Sequence, residues 1–433
     1  MDLLTANDRQ GAYPASYYAQ TARQLDPFPS AKGALRCDVC VVGAGFTGMS
    51  TAYHLALRGY DVIVLDAQRV GFGASGRNGG QVIKGQRREQ NELEAKLGDA
   101  HARELWDIGA QAVDLVRTLC KKDEVDTAFH DGIIEAAHRK RDVPDYHAYV
   151  EHLATKYDFH DACTLDADEC RHLVNSPAYH GGSLNMGSGH VNPLALVLGL
   201  TRLAVNAGVR VFEQSKVDDI TKGDPAIITT ADAEISARYV VLGCNGYLGN
   251  LQPRVAQRVM PINNYIVSTK PMDPAQQEDL IRNNYAVTDG KFVVNYFRFS
   301  DDHRLLFGGT ESYGYKFPKD IAGAVRKPLS EIFPQLNDVE IEHAWGGTLA
   351  ITMNRLPHYE RLTGNILTMS GFSGAGVALG TLSGQIAADA IAGQAERFDV
   401  MAKIPTPAFP GGTMMRQPLL VLAMLWYSLR DKL

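Results

Sequence analysis

The stretch CDVCVVGAGFTG, residues 37–48, carries two overlapping patterns that point to different chemistry. Cys37 and Cys40 form a C-x-x-C, the spacing of a redox dithiol or of half a zinc site. Gly43, Gly45 and Gly48 form a G-x-G-x-x-G, the spacing of a dinucleotide cradle. Residues 37–42 read as a short buried strand. MSTAYHLALR, 49–58, follows at helical spacing, with Gly59 placed to end it in a left-handed conformation. DVIVLD, 61–66, reads as a second strand, so the whole is a βαβ unit. Side chains alternate faces along a strand, so Cys37 and Cys40 point apart. A reactive C-x-x-C sits instead where a helix N-terminus lowers a thiol pKa, and no second cysteine pair stands at zinc spacing. The cysteines therefore read as strand residues and the glycines as the functional signal.

Each glycine has a physical task. Gly43 permits a tight turn, Gly45 lets backbone approach a pyrophosphate, and Gly48 lets helix and strand pack closely. The helix N-terminus favours the phosphate charge. Asp66, 23 residues after Gly43, ends the second strand and can accept from a ribose diol. The loop GFGASGRNGGQ, 71–81, is too glycine-rich for a stable helix or strand. It offers many backbone N–H groups, with Ser75, Arg77 and Asn78 as further donors, and suits a second stretch of a long dinucleotide. GFSGAGV, 371–377, is another glycine turn before a helix, whose N-terminus would stabilise negative charge on a reduced flavin. A plain nicotinamide site does not need it, so FAD is the expected cofactor.

The totals agree with a metabolic enzyme and exclude other classes. The 433 residues are 45% hydrophobic and 21% charged, an ordinary globular composition. A net charge of −6 leaves no basic footprint for nucleic acid, and the RKR run at 139–141 reads as a solvated face. The start lacks the pattern of a secretion signal, and no run reaches the roughly 18 apolar residues of a membrane span. PLLVLAMLWYSL, 418–429, reads as a buried or docking C-terminal helix. Six cysteines in a long chain without a signal peptide fit reduced thiols, and the expected location is cytoplasmic. Thirteen histidines show no compact metal-ligand pattern, so no metal site is expected. Oligomeric state has no sequence signature here.

Along the chain, 91–122 and 142–158 read as helices and 132–138 as a strand. PLALVLGLTRLAVNAG, 193–208, reads as a helix with Pro193 at its start and Gly208 as its stop. Strands are expected at VRVFE, VDDI and YVVLGCNG. The region 258–350 looks strand-rich, at INNYIVSTK, FVVNYFRFS, RLLFGGT and EIEHAWGGT. NILTMSGFSGAG, 365–376, reads as strand plus turn, and 377–393 as a small-residue helix. The expected class is α/β (α+β): a Rossmann-like, two-dinucleotide-type FAD-binding domain with an inserted antiparallel-sheet substrate domain. The expected division is an arm at 1–35, a discontinuous FAD domain from 36–90, 150–252 and 340–433, and a substrate domain from 91–149 and 253–339.

Strand–GAGFTG–helix, LDA, GFGASGRNGGQ, SGHVNPL, the late WGG, GFSGAG and AFPGGT before YSLRD resemble the FAD-dependent amine oxidoreductases of the D-amino-acid, glycine and sarcosine oxidase type. The likeness runs from SYY at 16–18 to YSLRD at 427–431. It implies that Gly43, Gly45, Phe46, Thr47 and Gly48 cradle the pyrophosphate and that Asp66, with Ala67 beside it, meets the adenosine ribose. It implies that Gly73, Ala74, Ser75, Arg77, Asn78, Gly79, Gly80 and Gln81 run along the ribityl chain and flavin. Val217 would meet adenine. Gly371, Phe372, Ser373, Gly374, Ala375, Gly376 and Val377 would meet the pyrimidine end. Sarcosine-type relatives attach FAD through a late cysteine; none stands near GFSGAG, so FAD is expected to be non-covalent. Where many relatives carry Asp, this chain has Asn354 in MNRLP, which places a carboxylate role there in doubt.

The implied reaction oxidises the primary amine of a γ-glutamylated polyamine such as γ-glutamylputrescine. It yields aldehyde and ammonia, and dioxygen is reduced to hydrogen peroxide. Aliphatic amines near pKa 10 are mostly charged at neutral pH, and apolar walls favour the reactive neutral form. Tyr296, Phe297 and Trp345 are candidate walls, or ordinary core. Arg298 is a candidate for a substrate carboxylate, or a strand-end arginine. Gln81 and His190 are weaker substrate candidates, and Lys270 and Lys291 are unassigned candidates for speeding the oxygen reaction. No catalytic nucleophile is expected. Two other readings stay open: a dehydrogenase of D-amino acids or N-methyl amino acids that feeds a quinone, and a non-catalytic flavin-binding protein.

Overall fold

The computed structural model describes residues 2–312 and 314–413. The expected helix at 418–429 and the YSLRD segment lie outside them. Two sheets organise the chain. In the first, Arg210–Phe212, Val62–Leu65, Gly33–Val42, Ala233–Leu242 and Ile366–Ser370 lie side by side in parallel. His358–Thr363 adds an antiparallel edge, and Val217–Thr221 and Ala226–Thr230 form an antiparallel extension. Val39 and Val41 of the central strand pack with Met49, Leu196 and Leu382, which come from helices Phe46–Ala56, Pro193–Asn206 and Ala378–Ile391. A parallel sheet needs such helical cover, because both its faces are apolar.

The second sheet runs Ile341–Ile351, Met260–Thr269, Leu305–Ser312, Tyr296–Phe299, Ala286–Asp289, His130–Ala136, Gly182–His190 and Gln81–Val82, with Ala162–Leu165 also on Gly182–His190. All pairings are antiparallel except that of Ala286–Asp289 with His130–Ala136. Its two faces meet different cores. Ile266, Leu306 and Trp345 pack toward the helices of the first sheet. Tyr265, Val267, Phe297 and Phe307 pack under helix Ile321–Ile332. Segments placed above with the FAD domain supply Gln81–Val82, Ala162–Leu165, Gly182–His190 and Ile341–Ile351 to this sheet. Helix Asp99–Leu119, placed with the substrate domain, buries Leu105, Ile108 and Val113 in the core under the first sheet.

Local signals set the boundaries. The single helix expected over 91–122 is two, Gln90–Leu97 and Asp99–Leu119, because Gly98 takes φ +85° between them. Pro193–Asn206 starts where the Asn192 side chain accepts from the Ala195 N–H at 3.1 Å, and Gly208 follows it at φ +96°. The strand expected over FVVNYFRFS is shorter, Tyr296–Phe299. Cys40 is fully buried in the central strand, and burial pushes the Cys37 thiol up to about 12 and that of Cys40 well above its usual range. Neither is a ready nucleophile. Among the described residues, no helix is long and apolar enough to cross a membrane, and no group of three His, Cys, Asp or Glu is placed to hold a metal ion.

Candidate active site

The central parallel strands end in two glycine turns set back to back. Gly43 N–H donates to Leu65 O at 2.8 Å, and Gly243 N–H to Val42 O at 2.9 Å. Gly43 adopts φ +101°, and a Cβ on Gly48 would stand 1.8 Å from Gly43 O. The helix Phe46–Ala56 therefore begins directly against the strand. Its N-cap, Gly45, has no side chain to satisfy the first turn, and Phe46 N–H reaches Ser75 Oγ at 3.0 Å. An open first turn is an anion site. Thr47 turns its hydroxyl away, to Gly380 O at 2.9 Å, so only its backbone faces the turn.

A cavity opens at these strand ends, lined by Gly43, Gly45, Asp66, Ala67, Gly73, Ala74, Ser75 and Val217, with Tyr247 and Asn245. Strand ends at a point where neighbouring crossovers diverge form a crevice, which is where such folds bind nucleotides. The Asp66 carboxylate accepts from the Ala44 and Gln68 N–H groups, each at 2.7 Å. Burial pushes it up to about 6 against those two donors. Leu4 of the N-terminal arm lines the same cavity, and the Gln68 amide donates to its carbonyl at 2.7 Å.

The 71–81 loop is held from inside. Arg77 is buried; it donates to Phe72 O at 2.6 Å and to Gly346 O at 3.2 Å, and it pairs with Asp8 at 2.8 Å. The guanidinium clasps the arm, the loop and the late WGG strand, while its Nη2 is buried without a hydrogen-bond partner among the described residues. The Asn78 side chain bonds Ala74 O, Ser75 O and Gly80 N–H, so it shapes the loop. Gln81 donates to Val287 O at 2.8 Å.

The late turn meets the cavity from the other side. Gly371 N–H donates to the Asn245 side chain at 3.0 Å. Gly371, Ser373 and Gly374 all have positive φ, and the helix beginning at Ala378 has no side-chain cap. Phe372 and Val377 are buried in the core beneath it, with Ala375 and Gly376 completing the turn. Asn245 escaped the sequence reading, which took YVVLGCNG only as a strand; its own positive φ of 47° follows from the turn. Cys244 lines the cavity, but burial pushes its thiol up to about 12.

The substrate candidates separate by strand parity. Tyr296 and Arg298 lie on one face of their strand; Phe297 lies on the other, stacked on Phe307 at 5.4 Å. Phe297 is therefore core and not a wall of the site. The Tyr296 ring sits where Cβ atoms on Gly79 and Gly308 would stand, and its hydroxyl donates to the Asn264 side chain. Trp345 is 2% exposed, edge-on to Tyr18 at 5.2 Å, and donates to Arg77 O at 3.0 Å. Arg298 is 4% exposed and donates to the carbonyls of Gly79, Val191 and Phe299. Its guanidinium is thus engaged by three backbone carbonyls and, through Nη2, by the Tyr18 hydroxyl at 3.3 Å.

His190 is fully buried, bonded through Nε2 to Asn284 O at 2.8 Å and stacked on His130 at 4.9 Å. Burial and then Arg298 hold it well below the usual histidine range, so it lies behind the site as a neutral ring. Asn354 is bound by Pro405 O at 2.7 Å and by the Thr352 hydroxyl at 3.1 Å. Lys270 and Lys291 face Glu340 and Glu331 at 2.7 and 3.8 Å, and Lys270 stands on the surface.

A cradle that any Cβ at Gly48 would close, an open helix N-terminus, an acid at the second strand end and a second glycine turn fit an extended dinucleotide with a flavin end. Fold and site thus define a flavin-dependent oxidoreductase. The chain belongs to the FAD dependent oxidoreductase family, whose model matches residues 38–390, and its cofactor is FAD. It is 39% identical over 418 residues to a probable oxidoreductase OrdL of Rhizobium meliloti, covering 96% of this chain and 97% of that one. It is 37% identical over 422 residues to the gamma-glutamylputrescine oxidoreductase of Escherichia coli, covering 97% and 99%. The fold matches glycine oxidase from Geobacillus kaustophilus with a TM-score of 0.70 and 21% identity, over 83% of this chain and 95% of that one.

Proposed function

We propose that this enzyme oxidises the primary amine of γ-glutamylputrescine, or of a related γ-glutamylated polyamine, to an aldehyde with release of ammonia and hydrogen peroxide. Such an enzyme would serve polyamine catabolism in the cytoplasm. The observation that carries the reading is the 37% identity, over 97% of the chain, to an oxidoreductase of that substrate. Bound FAD supplies the two-electron acceptor and the route to dioxygen. The protein supplies position and environment. Tyr296, beside Gly79 and Gly308, gives the amine an aromatic wall, and desolvation there favours the neutral amine over the ammonium. Arg298 and Arg77 hold the loop and the WGG strand around that wall. We propose a two-part division along the two sheets, with FAD bound on the parallel sheet and the substrate on the second, to which Gln81–Val82, Ala162–Leu165, Gly182–His190 and Ile341–Ile351 belong.

The test mixes the FAD-loaded protein anaerobically with γ-glutamylputrescine, putrescine, D-alanine and sarcosine in turn, then admits air and follows peroxide. Bleaching of the flavin by γ-glutamylputrescine, with peroxide on aeration, is the expected result. Bleaching only by an amino acid, with slow reoxidation in air, overturns it in favour of a dehydrogenase. No bleaching by any amine overturns the enzymatic substrate reading altogether.

A further inference from the structure

The N-terminal arm runs past the nucleotide cavity and is fastened at both sheets. Leu4 lines the cavity together with Asp66, Ala67, Ser215, Lys216 and Val217. One side chain ties the arm there. The Gln68 N–H donates to the Asp66 carboxylate at 2.7 Å, while the Gln68 amide donates to Leu4 O and accepts from Gly11 N–H, both at 2.7 Å. The acid at the second strand end and the arm thus share one buried glutamine. Asp2 also pairs with Lys216 at 2.9 Å, but both side chains are about half exposed, and such a pair adds little.

Further along, the arm crosses to the second sheet. The Asn7 amide donates to Tyr315 O and accepts from Phe317 N–H, each at 2.8 Å, so one side chain makes a two-bond catch on the segment that follows Leu305–Ser312. Asp8 pairs with Arg77 of the glycine-rich loop at 2.8 Å, and Tyr13 donates to Val70 O at 2.6 Å. These fastenings are polar, and the segment buries little. None of residues 2–15 is buried, whereas Ser16, Tyr17 and Tyr18 are. Tyr18 stands edge-on to Trp345 at 5.2 Å, and Tyr17 donates to Asp302 at 2.7 Å. A segment with few buried apolar contacts opens at low free energy, and one anchored in a core does not. The arm is therefore fixed from Ser16 onward and detachable before it.

We infer that residues 2–13 are a latch on the cofactor site: they close over the adenosine end of bound FAD and lift for FAD to enter or leave. The end is set by Leu4, which stands in the cavity wall with Asp66, an acid fit for a ribose diol. Asn7 is the catch. It is not among the residues lining the cavity, and both its bonds go to backbone of the second sheet's side. A lid that must open gates passage in both directions, while a fixed wall slows exit alone. The latch governs cofactor exchange whichever amine is oxidised, and takes no part in bond breaking.

The test measures FAD exchange on the full chain in wild type, Asn7→Ala, Gln68→Ala and the double variant. Release is followed by the rise in flavin fluorescence on dilution of the loaded protein, and rebinding by adding FAD to the stripped protein. Trypsin cleavage after Arg9, which is exposed, is read by mass with and without FAD. The thermal midpoint of each stripped protein shows that it is folded. The expected result is release at least tenfold faster and rebinding at least threefold faster in the double variant. Asn7→Ala alone should move both rates the same way by a smaller factor, and FAD should slow cleavage after Arg9. Faster release with unchanged rebinding makes the arm a fixed wall and overturns the latch. Unchanged release, or cleavage after Arg9 at one rate with and without FAD, overturns it as well. Should Gln68→Ala fail to fold, Asn7→Ala decides, and wild-type exchange rates in that variant overturn the inference.

Discussion

The guanidinium of Arg298 donates to the carbonyl of Gly79 at 2.7 Å, joining the second sheet to the glycine-rich loop. The same side chain also bonds the carbonyls of Val191 and Phe299, at 2.9 and 3.2 Å. Arg298→Leu leaves three carbonyls without this donor, and we expect a stability loss of about 3 kcal/mol with weakened FAD retention. Denaturant midpoints and the ratio of flavin to protein absorbance check this. An unchanged midpoint with a raised KM would instead mark a residue that binds substrate.

Gly48→Ala places a methyl 1.8 Å from Gly43 O, which only movement of helix from strand relieves. Overpacking of this kind costs about 1–3 kcal/mol, and it widens the cradle as well. The variant should purify colourless and melt below wild type. A yellow protein with wild-type FAD affinity would contradict the cradle.

Asp66 sets a pH dependence. Its carboxyl moves from the ordinary 3.8 to about 6 in the folded chain, so folding favours its protonated form. The contribution is fully present below about pH 4 and is lost as pH rises to about 6, at most about 3 kcal/mol for this largely buried group. Urea unfolding of FAD-stripped wild type and Asp66→Asn, between pH 4 and pH 7, should show the difference turning against wild type as pH rises. A flat difference would mean that the carboxyl is not desolvated.

All FAD should leave the protein on acid or heat denaturation and appear in the filtrate. Cys244, which lines the cavity, has its thiol pushed up to about 12 and its Sγ on Val42 O at 3.3 Å. It therefore lacks the thiolate that attack on a flavin ring needs. Colour left on the precipitated protein would show a covalent bond.

The elements legible in the sequence were those with short-range causes. The strand at 37–42, the turn at Gly43 and the helix after it follow from glycine spacing and apolar periodicity, and all appear within a few residues of expectation. The break at Gly98 was missed because the apolar spacing runs on through 91–122 and past both its glycines, of which Gly109 stays inside a helix. The substrate candidates fared less well. Phe297 and Tyr296 are adjacent in NYFRF, and only the packing of the strand shows which face each occupies.

By itself, the sequence determined the nucleotide cradle, the acid at Asp66 and the second glycine turn, because each depends on backbone freedom or charge within a few residues. Tertiary structure alone decided the use of the long side chains. Arg77 and Arg298 read as ligand donors, yet backbone carbonyls from distant segments claim them. The reach of an arginine spans whatever the fold sets beside it, and Arg298 meets Gly79, 219 positions away, only when the second sheet has packed against the glycine-rich loop.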